Sequence, residues 1–229
     1  MQDTIKNRLD YKPTYWLTKI TFLNFLIYEN FTIVKSKISF KKNNFSIIEK
    51  YQLDNVIELN GVNLLTNKLQ LKINDTPIKN IEVSKFKKNN ETIILPISEE
   101  AISVEIFTEV KIFPKTNKSL EGLYESNKML CTQCEPEGFR KITWFPDRPD
   151  NLSLFKVKIE ASTQFDTILS NGNLIEEGIV DETDEKRHYK VWLDPFPKPS
   201  YLFALVVGNL EFVQDHYITR SKRNITLRI

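Results

Sequence analysis

The two cysteines of the chain, Cys131 and Cys134, form a Cys-x-x-Cys motif, a pattern used elsewhere for zinc binding or for disulfide exchange. A structural zinc site needs two further ligands, and the two histidines, His188 and His216, are too far apart to match a zinc-finger spacing. A redox pair needs a βαβ setting with the first cysteine opening a helix, and the flanks have no helical pattern. The residues favour two reduced, partly buried thiols over either alternative.

Carboxylates are the other candidates for chemistry, and Glu135 directly follows the cysteine motif. The chain contains no H-E-x-x-H, G-x-S-x-G or G-x-x-x-x-G-K motif, so no spacing points to a catalytic metal, an activated serine or a phosphate loop. Charged side chains are mostly exposed, and from the residues alone Glu135 is a solvated loop carboxylate. Taken by themselves, the motifs predict a binding or interaction domain.

Glu135 lies in a stretch from Leu120 to Asp150 where the strand alternation of the neighbouring sequence breaks down. A long loop that carries aromatic residues and prolines is typical of a binding loop rather than of disorder. Within it, Arg148 is flanked by Asp147 and Asp150. We expect Arg148 to tie the loop to the sheet by bidentate pairing, with a ligand contact as the alternative.

Strand periodicity dominates the elements that must position this loop. Apolar residues alternate with polar ones at 34–40, 102–112 and 155–159, which predicts strands with one buried face. The apolar run 201–207 predicts a strand buried on both faces, and only a short helix at 97–101 is compatible with the pattern. Turn signals between the runs indicate antiparallel pairing. The sequence therefore predicts an all-β, sandwich-like fold with several antiparallel sheets.

Composition restricts the partners and the compartment. The 229 residues are 41% apolar, enough for one large core or two adjoining ones, and no composition shift divides residues 1–229 into domains. The net charge of +2 comes from 32 basic and 30 acidic residues spread along the chain, so nucleic acid is not an expected partner. The first residues lack a secretory h-region, and no segment approaches the ~18 apolar residues of a membrane helix. We expect a cytoplasmic protein without membrane contact.

Short motifs are distributed along the chain from Asp10-Tyr11 to the last apolar run. They are Glu121-Gly122-Leu123-Tyr124, Cys131-Thr132-Gln133-Cys134-Glu135, Glu137-Gly138-Phe139-Arg140, Thr143-Trp144, Asp147-Arg148-Pro149-Asp150, Leu169-Ser170-Asn171-Gly172-Asn173, Asp194-Pro195-Phe196-Pro197-Lys198-Pro199 and Tyr201-Leu202-Phe203-Ala204-Leu205-Val206. In this order they resemble the N-terminal domain of the bacterial aminopeptidase N branch of the gluzincin metallopeptidases. Several independent motifs in one order make the resemblance specific.

The resemblance implies that residues 1–229 are the saddle-shaped N-terminal β domain of a four-domain enzyme that removes N-terminal amino acids from peptides with one zinc ion. The family's zinc ligands lie in the next domain, which is absent from this chain. The chain by itself is therefore expected to bind no metal and to be inactive. Its implied partners are the N-terminus of a peptide substrate and the catalytic domain of the same polypeptide.

The resemblance also assigns roles within the loop. Glu135 would bind the substrate's α-ammonium, and Gln133 would line the first side-chain pocket, with a bond to local backbone as the alternative for Gln133. Many relatives carry alanine where this sequence has Pro136, and we expect a cis Glu135-Pro136 bond there. Pro136, Asp147, Arg148 and Asp150 would structure the loop.

A second function class remains open at this point. Because a fold does not dictate a function, the same β scaffold could serve as a non-catalytic interaction module. The coding sequence beyond Ile229 distinguishes the two, since it either encodes the metal-ligand helix or does not.

Overall fold

The computed structural model describes residues 7–180 and 186–229, and it confirms the all-β prediction. The strands are β1 (Trp16–Ile27), β2 (Thr32–Lys42), β3 (Val56–Asn60), β4 (Leu65–Ile73), β5 (Lys79–Asn80), β6 (Thr92–Pro96), β7 (Ser103–Ile112), β8 (Gly122–Ser126), β9 (Met129–Gln133), β10 (Leu152–Ser162), β11 (Thr167–Ser170), β12 (Asn173–Val180), β13 (Arg187–Pro199), β14 (Leu205–Gly208), β15 (Gln214–Ile218) and β16 (Asn224–Arg228). The helix α1 spans Phe45–Tyr51, and short 3-10 helices occupy Arg8–Asp10, Val83–Phe86, Pro114–Thr116, Phe139–Lys141 and Ser200–Leu202.

The strands form several sheets. The largest has eight strands in the order β12-β13-β10-β1-β2-β7-β4-β5, and a second has four in the order β11-β14-β9-β8. Two further pairs are β3 with β6 and β15 with β16. Pairing is antiparallel with one exception among the described strands, since β1 runs parallel to β10 with Ile20 beside Leu154. β1 and β10 are far apart in sequence and are not joined by a hairpin. The turn signals in the sequence therefore did not predict their relative direction.

The alternation in the sequence places the core. In β7, Val104, Ile106, Thr108, Val110 and Ile112 are each at most 5% exposed, as the period-two pattern predicts. Ile102 was expected on the same face but is 80% exposed, because it precedes the first paired residue of the strand. Its backbone N–H instead donates to the side chain of Asn74.

One buried cluster joins the two larger sheets and the β3–β6 pair. The Phe25 ring of the eight-stranded sheet stacks on Phe203, just before β14, with centroids 6.0 Å apart. The β15–β16 hairpin contributes no residue to this cluster. None of the helices in the described ranges has the length and apolar character needed to cross a membrane.

The stretch 120–150 was expected to be an irregular loop, but its first part is a hairpin. Strands β8 and β9 are joined by Asn127 and Lys128, both with positive φ (49° and 64°). Two consecutive positive φ values are the geometry of a two-residue turn that matches strand twist. The period-two signal was missed because each strand has only five residues.

Two other local expectations were wrong. The run 201–207 is not one strand: Ser200–Leu202 forms a 3-10 turn closed by the Phe203 N–H to the Ser200 carbonyl (3.0 Å), and β14 begins only at Leu205. The segment 97–101 is a turn closed by Ala101 N–H to Ser98 O (3.0 Å) rather than a helix. The helix that does form, α1, ends at Gln52 in the left-handed conformation.

The β7 stripe can be tested with two isoleucines of opposite burial. Ile106→Ala removes a side chain with no exposed surface and should lower the free energy of unfolding by about 2–5 kcal/mol, through lost burial and the remaining cavity. Ile102→Ala is the matched control and should change it by less than about 0.5 kcal/mol. Urea unfolding of the chain measures both, and equal losses would contradict the assigned strand start.

Candidate functional site

The loop with Glu135 begins where β9 ends at Gln133 and is closed as a tight turn. The Gly138 N–H donates to the Cys134 carbonyl at 3.0 Å. A Cβ at Gly138 would lie 2.4 Å from the Gln133 carbonyl oxygen, so only glycine permits this close backbone approach. Glu137, just before it, has φ of 64°. The turn Cys134–Gly138 is thus a compact unit built on the end of β9.

Glu135 lies on the solvent side of this turn. Its side chain is exposed and forms no hydrogen bond or ion pair with any residue in the described ranges. The Gln133 side chain donates from Nε2 to the Glu135 carbonyl oxygen at 3.0 Å, the local backbone bond that was the alternative for this residue. Pro136 is also exposed. The expected cis Glu135-Pro136 bond was wrong, since no peptide bond of the described residues is cis.

Phe139, the residue that follows the turn, anchors the loop in the core. Its fully buried ring meets Phe145, Phe155 and Phe203 edge-on, with centroid distances of 4.8, 5.9 and 5.3 Å. Such edge-to-face contacts are favourable because the positive ring edge meets the negative face of its neighbour. The anchor joins the loop to β10, which contributes Phe155, and to the segment before β14.

Asp147 is directed inward, to Arg140, rather than toward its neighbour Arg148. Its Oδ2 accepts the backbone N–H of Arg140 at 3.1 Å and the guanidinium Nε at 3.0 Å, and its carbonyl accepts Arg140 Nη2 at 3.0 Å. Ser200 Oγ donates to Oδ1 at 2.5 Å. Asp147 is 6% exposed. The pair therefore connects the two ends of the segment 140–147, which directly follows Phe139.

Arg148 forms a bidentate pair with Asp150, through Nε to Oδ1 (2.9 Å) and Nη2 to Oδ2 (2.7 Å). Nη2 also reaches the Lys12 carbonyl (2.8 Å), and the Tyr11 hydroxyl donates to Asp150 at 2.8 Å. Burial alone would raise the pKa of Asp150, but the hydrogen bonds from Arg148 and Tyr11 outweigh it and lower that pKa. Arg148 thus fastens the segment before β1, rather than the sheet itself.

Cys134 is a buried neutral thiol at the root of the turn. Burial, and then the nearby negative charge of Asp147, raise the pKa of the Cys134 thiol far above its ordinary value. Neither Cys134 nor the half-buried Cys131 forms a disulfide. Within residues 7–180 and 186–229, no three histidine, cysteine, aspartate or glutamate side chains are grouped as a metal site requires, so the described residues do not fit a zinc ion.

Known proteins resemble this chain in both sequence and fold. The sequence profile described as the Peptidase M1 N-terminal domain matches residues 26–202. The chain belongs to this family. Aminopeptidase N of Caulobacter vibrioides is 40% identical over 225 residues, which cover 97% of this chain and 24% of that protein. Aminopeptidase N of Escherichia coli is 37% identical over 230 residues, covering 100% of this chain and 24% of that protein.

Solved structures agree with this M1 N-terminal domain. A crystal structure of Legionella pneumophila aminopeptidase A in complex with aspartic acid superposes with a TM-score of 0.82 at 29% identity, over 97% of this chain and 25% of that one. An M1 zinc metallopeptidase of Deinococcus radiodurans, bound to a Tyr-Ser-Ala substrate, shares the fold with a TM-score of 0.68 at 12% identity, over 93% of this chain and 47% of that one. The chain spans about a quarter of the length of the curated aminopeptidase N relatives.

Two residues that hold the loop through Asp147 were not recognised from the sequence. Arg140 was noted only as part of a motif, and Ser200 not at all, although both bond to Asp147. Arg140 and Asp147 are seven residues apart, a spacing at which two side chains do not pair directly within one strand or helix. A charged residue directly after the buried Phe139 was the one available signal that a partner must exist.

The buried thiol leads to a chemical prediction. Because the thiolate is the reactive form and the raised pKa keeps Cys134 neutral, Cys134 should resist iodoacetamide in the folded chain at mildly alkaline pH, whereas Cys131 should react faster. Mass spectrometry after a timed reaction gives both rates, and urea-unfolded chain is the control in which both should react. Rapid native alkylation at Cys134 would show that the turn opens readily.

Proposed function

We propose that this M1 domain binds the amino end of a peptide for a zinc-dependent aminopeptidase, with Glu135 accepting the substrate's α-ammonium. The supporting observation is an exposed carboxylate, without a partner among the described residues, on a turn whose base is buried and hydrogen bonded. A carboxylate that already had a cation partner would have to lose it before binding an ammonium. Glu135 has no such cost.

The charge on Glu135 suits exopeptidase selectivity. A charge-assisted hydrogen bond between carboxylate and ammonium contributes about 1.5–3 kcal/mol, more than a neutral pair. A bond to the free amino end would place the first peptide bond at a set distance from the loop, which is positioning rather than bond cleavage. An endopeptidase would gain nothing from this anion, because its substrates present no ammonium there.

Gln133 has a secondary part in the proposal. Its side chain is exposed and lies beside Glu135, so the face of the amide turned away from the Glu135 carbonyl could line the pocket for the first side chain. The bond from Nε2 to that carbonyl would keep the amide oxygen turned toward the pocket. Gln133 would then both support the turn and contact the substrate.

The metal and the bond-breaking residues belong elsewhere in this proposal. The described residues offer no zinc ligand group, and the relatives are about four times as long as the chain. Zinc, and a catalytic domain that meets the Glu135 loop, would be supplied by a longer polypeptide. The free thiols Cys131 and Cys134 support a reducing, cytoplasmic location, which we also propose.

Reading the coding sequence beyond Ile229 tests the function class directly. An encoded H-E-x-x-H helix is expected, because it would hold the metal of an aminopeptidase. A reading frame that lacks this motif would overturn the proposal and favour the non-catalytic interaction module.

The chain alone should release no p-nitroaniline from leucyl-p-nitroanilide and should retain no stoichiometric zinc after dialysis. The reason is that its described residues contain no grouped metal ligands and no nucleophile motif. Absorbance assays and elemental analysis of the purified chain are the measurements, with the longer polypeptide as positive control. Turnover that persists through repeated purification would contradict the assignment of catalysis to another domain.

In the longer enzyme, Glu135→Gln should reduce kcat/KM for leucyl-p-nitroanilide by about 10- to 100-fold, the equivalent of one charge-assisted bond. Glu125→Gln is the matched control, because Glu125 is a carboxylate of the same four-stranded sheet without a partner among the described residues. This control should retain full activity. Equal activity of the two variants would remove Glu135 from the substrate site.

A further inference from the structure

We propose that Arg140, held by Asp147, is the positioning residue that fixes where the Glu135 carboxylate stands, an inference that rests on the proposed function. Arg140 also contacts the turn directly, since its Nη2 lies 3.3 Å from Oε1 of the exposed Glu137. The Arg140 side chain is 15% exposed, and the side chain of its partner Asp147 is 3% exposed. The geometry points to an action on substrate through the turn, by way of its backbone and the Glu137 side chain, without a contact between Arg140 and the Glu135 side chain.

The turn Cys134–Gly138 is held together by its own backbone contacts. Between Cys134 and Arg140 the backbone has one internal bond, from the Gly138 N–H to the Cys134 carbonyl, and Gly138 lies too close to the Gln133 carbonyl oxygen to accept a Cβ. These contacts make the turn a unit, but they do not fix its orientation relative to the sheets. A unit attached only to the end of β9 could tilt about that attachment.

Arg140 attaches the other end of the turn to Asp147. Arg140 donates to Asp147 three times, from its backbone N–H, from Nε and from Nη2. Asp147 is itself fixed by the Ser200 hydroxyl, and its backbone N–H donates to the Asn60 side chain at 3.2 Å. The turn is therefore held by the end of β3 and by the segment after β13, as well as by β9.

Arg140 and the neighbouring Phe139 hold the turn in different ways. The Phe139 ring contributes burial, and the hydrophobic free energy of burial is non-directional. The Arg140 guanidinium is a directional contact, because two N–H groups in one plane (the fork) must meet two acceptors of Asp147, its Oδ2 and its carbonyl oxygen. Arg140 therefore sets orientation, whereas Phe139 supplies stability.

The test uses the longer enzyme and two hydroxamate inhibitors, that of leucine and that of isocaproic acid, which differ only in the α-amino group. The inhibition constant of the isocaproic acid hydroxamate divided by that of the leucine hydroxamate measures recognition of the ammonium. This ratio is independent of how much of the preparation is folded. Arg140→Lys keeps the charge but loses the fork, and it should reduce the ratio by about five- to ten-fold, since small misplacements of a positioning group are costly.

A double variant shows whether the effect passes through Glu135. The double variant Arg140→Lys/Glu135→Gln should have the same ratio as the single variant Glu135→Gln. If Arg140 acts only through Glu135, its substitution has no further effect once the Glu135 charge is gone. Asp147→Asn is a second, shape-preserving variant and should change the ratio in the same direction by a smaller factor. Glu160→Gln is the matched control, since it weakens another buried carboxylate–arginine pair, Glu160–Arg187, at the opposite end of β10.

The outcomes separate the two proposals. If Glu135→Gln reduces the ratio but Arg140→Lys leaves it unchanged, the positioning role is wrong and the proposed function stands. A further reduction in the double variant, or an equal effect of Glu160→Gln, also overturns positioning. If Glu135→Gln itself leaves the ratio unchanged, the proposed function fails.

Discussion

The buried pair of Arg140 and Asp147 is the constraint on which the geometry of the Glu135 loop depends. Taking two charges out of water costs several kcal/mol each, and the cost is offset only when the remaining donors and acceptors are also satisfied. Here Asp147 Oδ2 accepts two N–H groups of Arg140, and Oδ1 accepts the Ser200 hydroxyl. Removal of one partner from such a pair costs about 3–5 kcal/mol, so alternative positions of the segment are strongly disfavoured.

Around this pair, polar and apolar anchors have different tasks. The Phe139 ring, packed on Phe145, Phe155 and Phe203, provides hydrophobic burial, which is non-directional. The charged pair provides direction. Cys134, a neutral thiol beside them, fills space at the root of the turn without competing for the donors of Arg140. The exposed carboxylate of Glu135 is thereby presented by a rigid base, while its own side chain keeps its freedom.

The strands were predictable wherever one face alternates with the other over many residues. The stripe of β7 is an example, since Val104, Ile106 and Val110 are buried as their period-two spacing requires. Short elements were not predictable in this way. The β8–β9 hairpin depends on positive φ at Asn127 and Lys128, and lysine gives no signal for that conformation. Pro136 shows the same limit, because proline permits a cis bond without requiring one.

By itself the sequence determined the all-β class, the faces of the long strands and, through its ordered motifs, the M1 N-terminal family to which the chain belongs. These follow from local spacing, which a single chain carries along its whole length. Only the tertiary structure decided that Asp147 pairs with Arg140 rather than with the adjacent Arg148, and that β1 runs parallel to β10. The strand direction depends on which distant segments come together, and the choice of Arg140 depends on the buried volume in which Asp147 also meets Asn60 and Ser200. The pattern of neighbours along the chain does not contain that information.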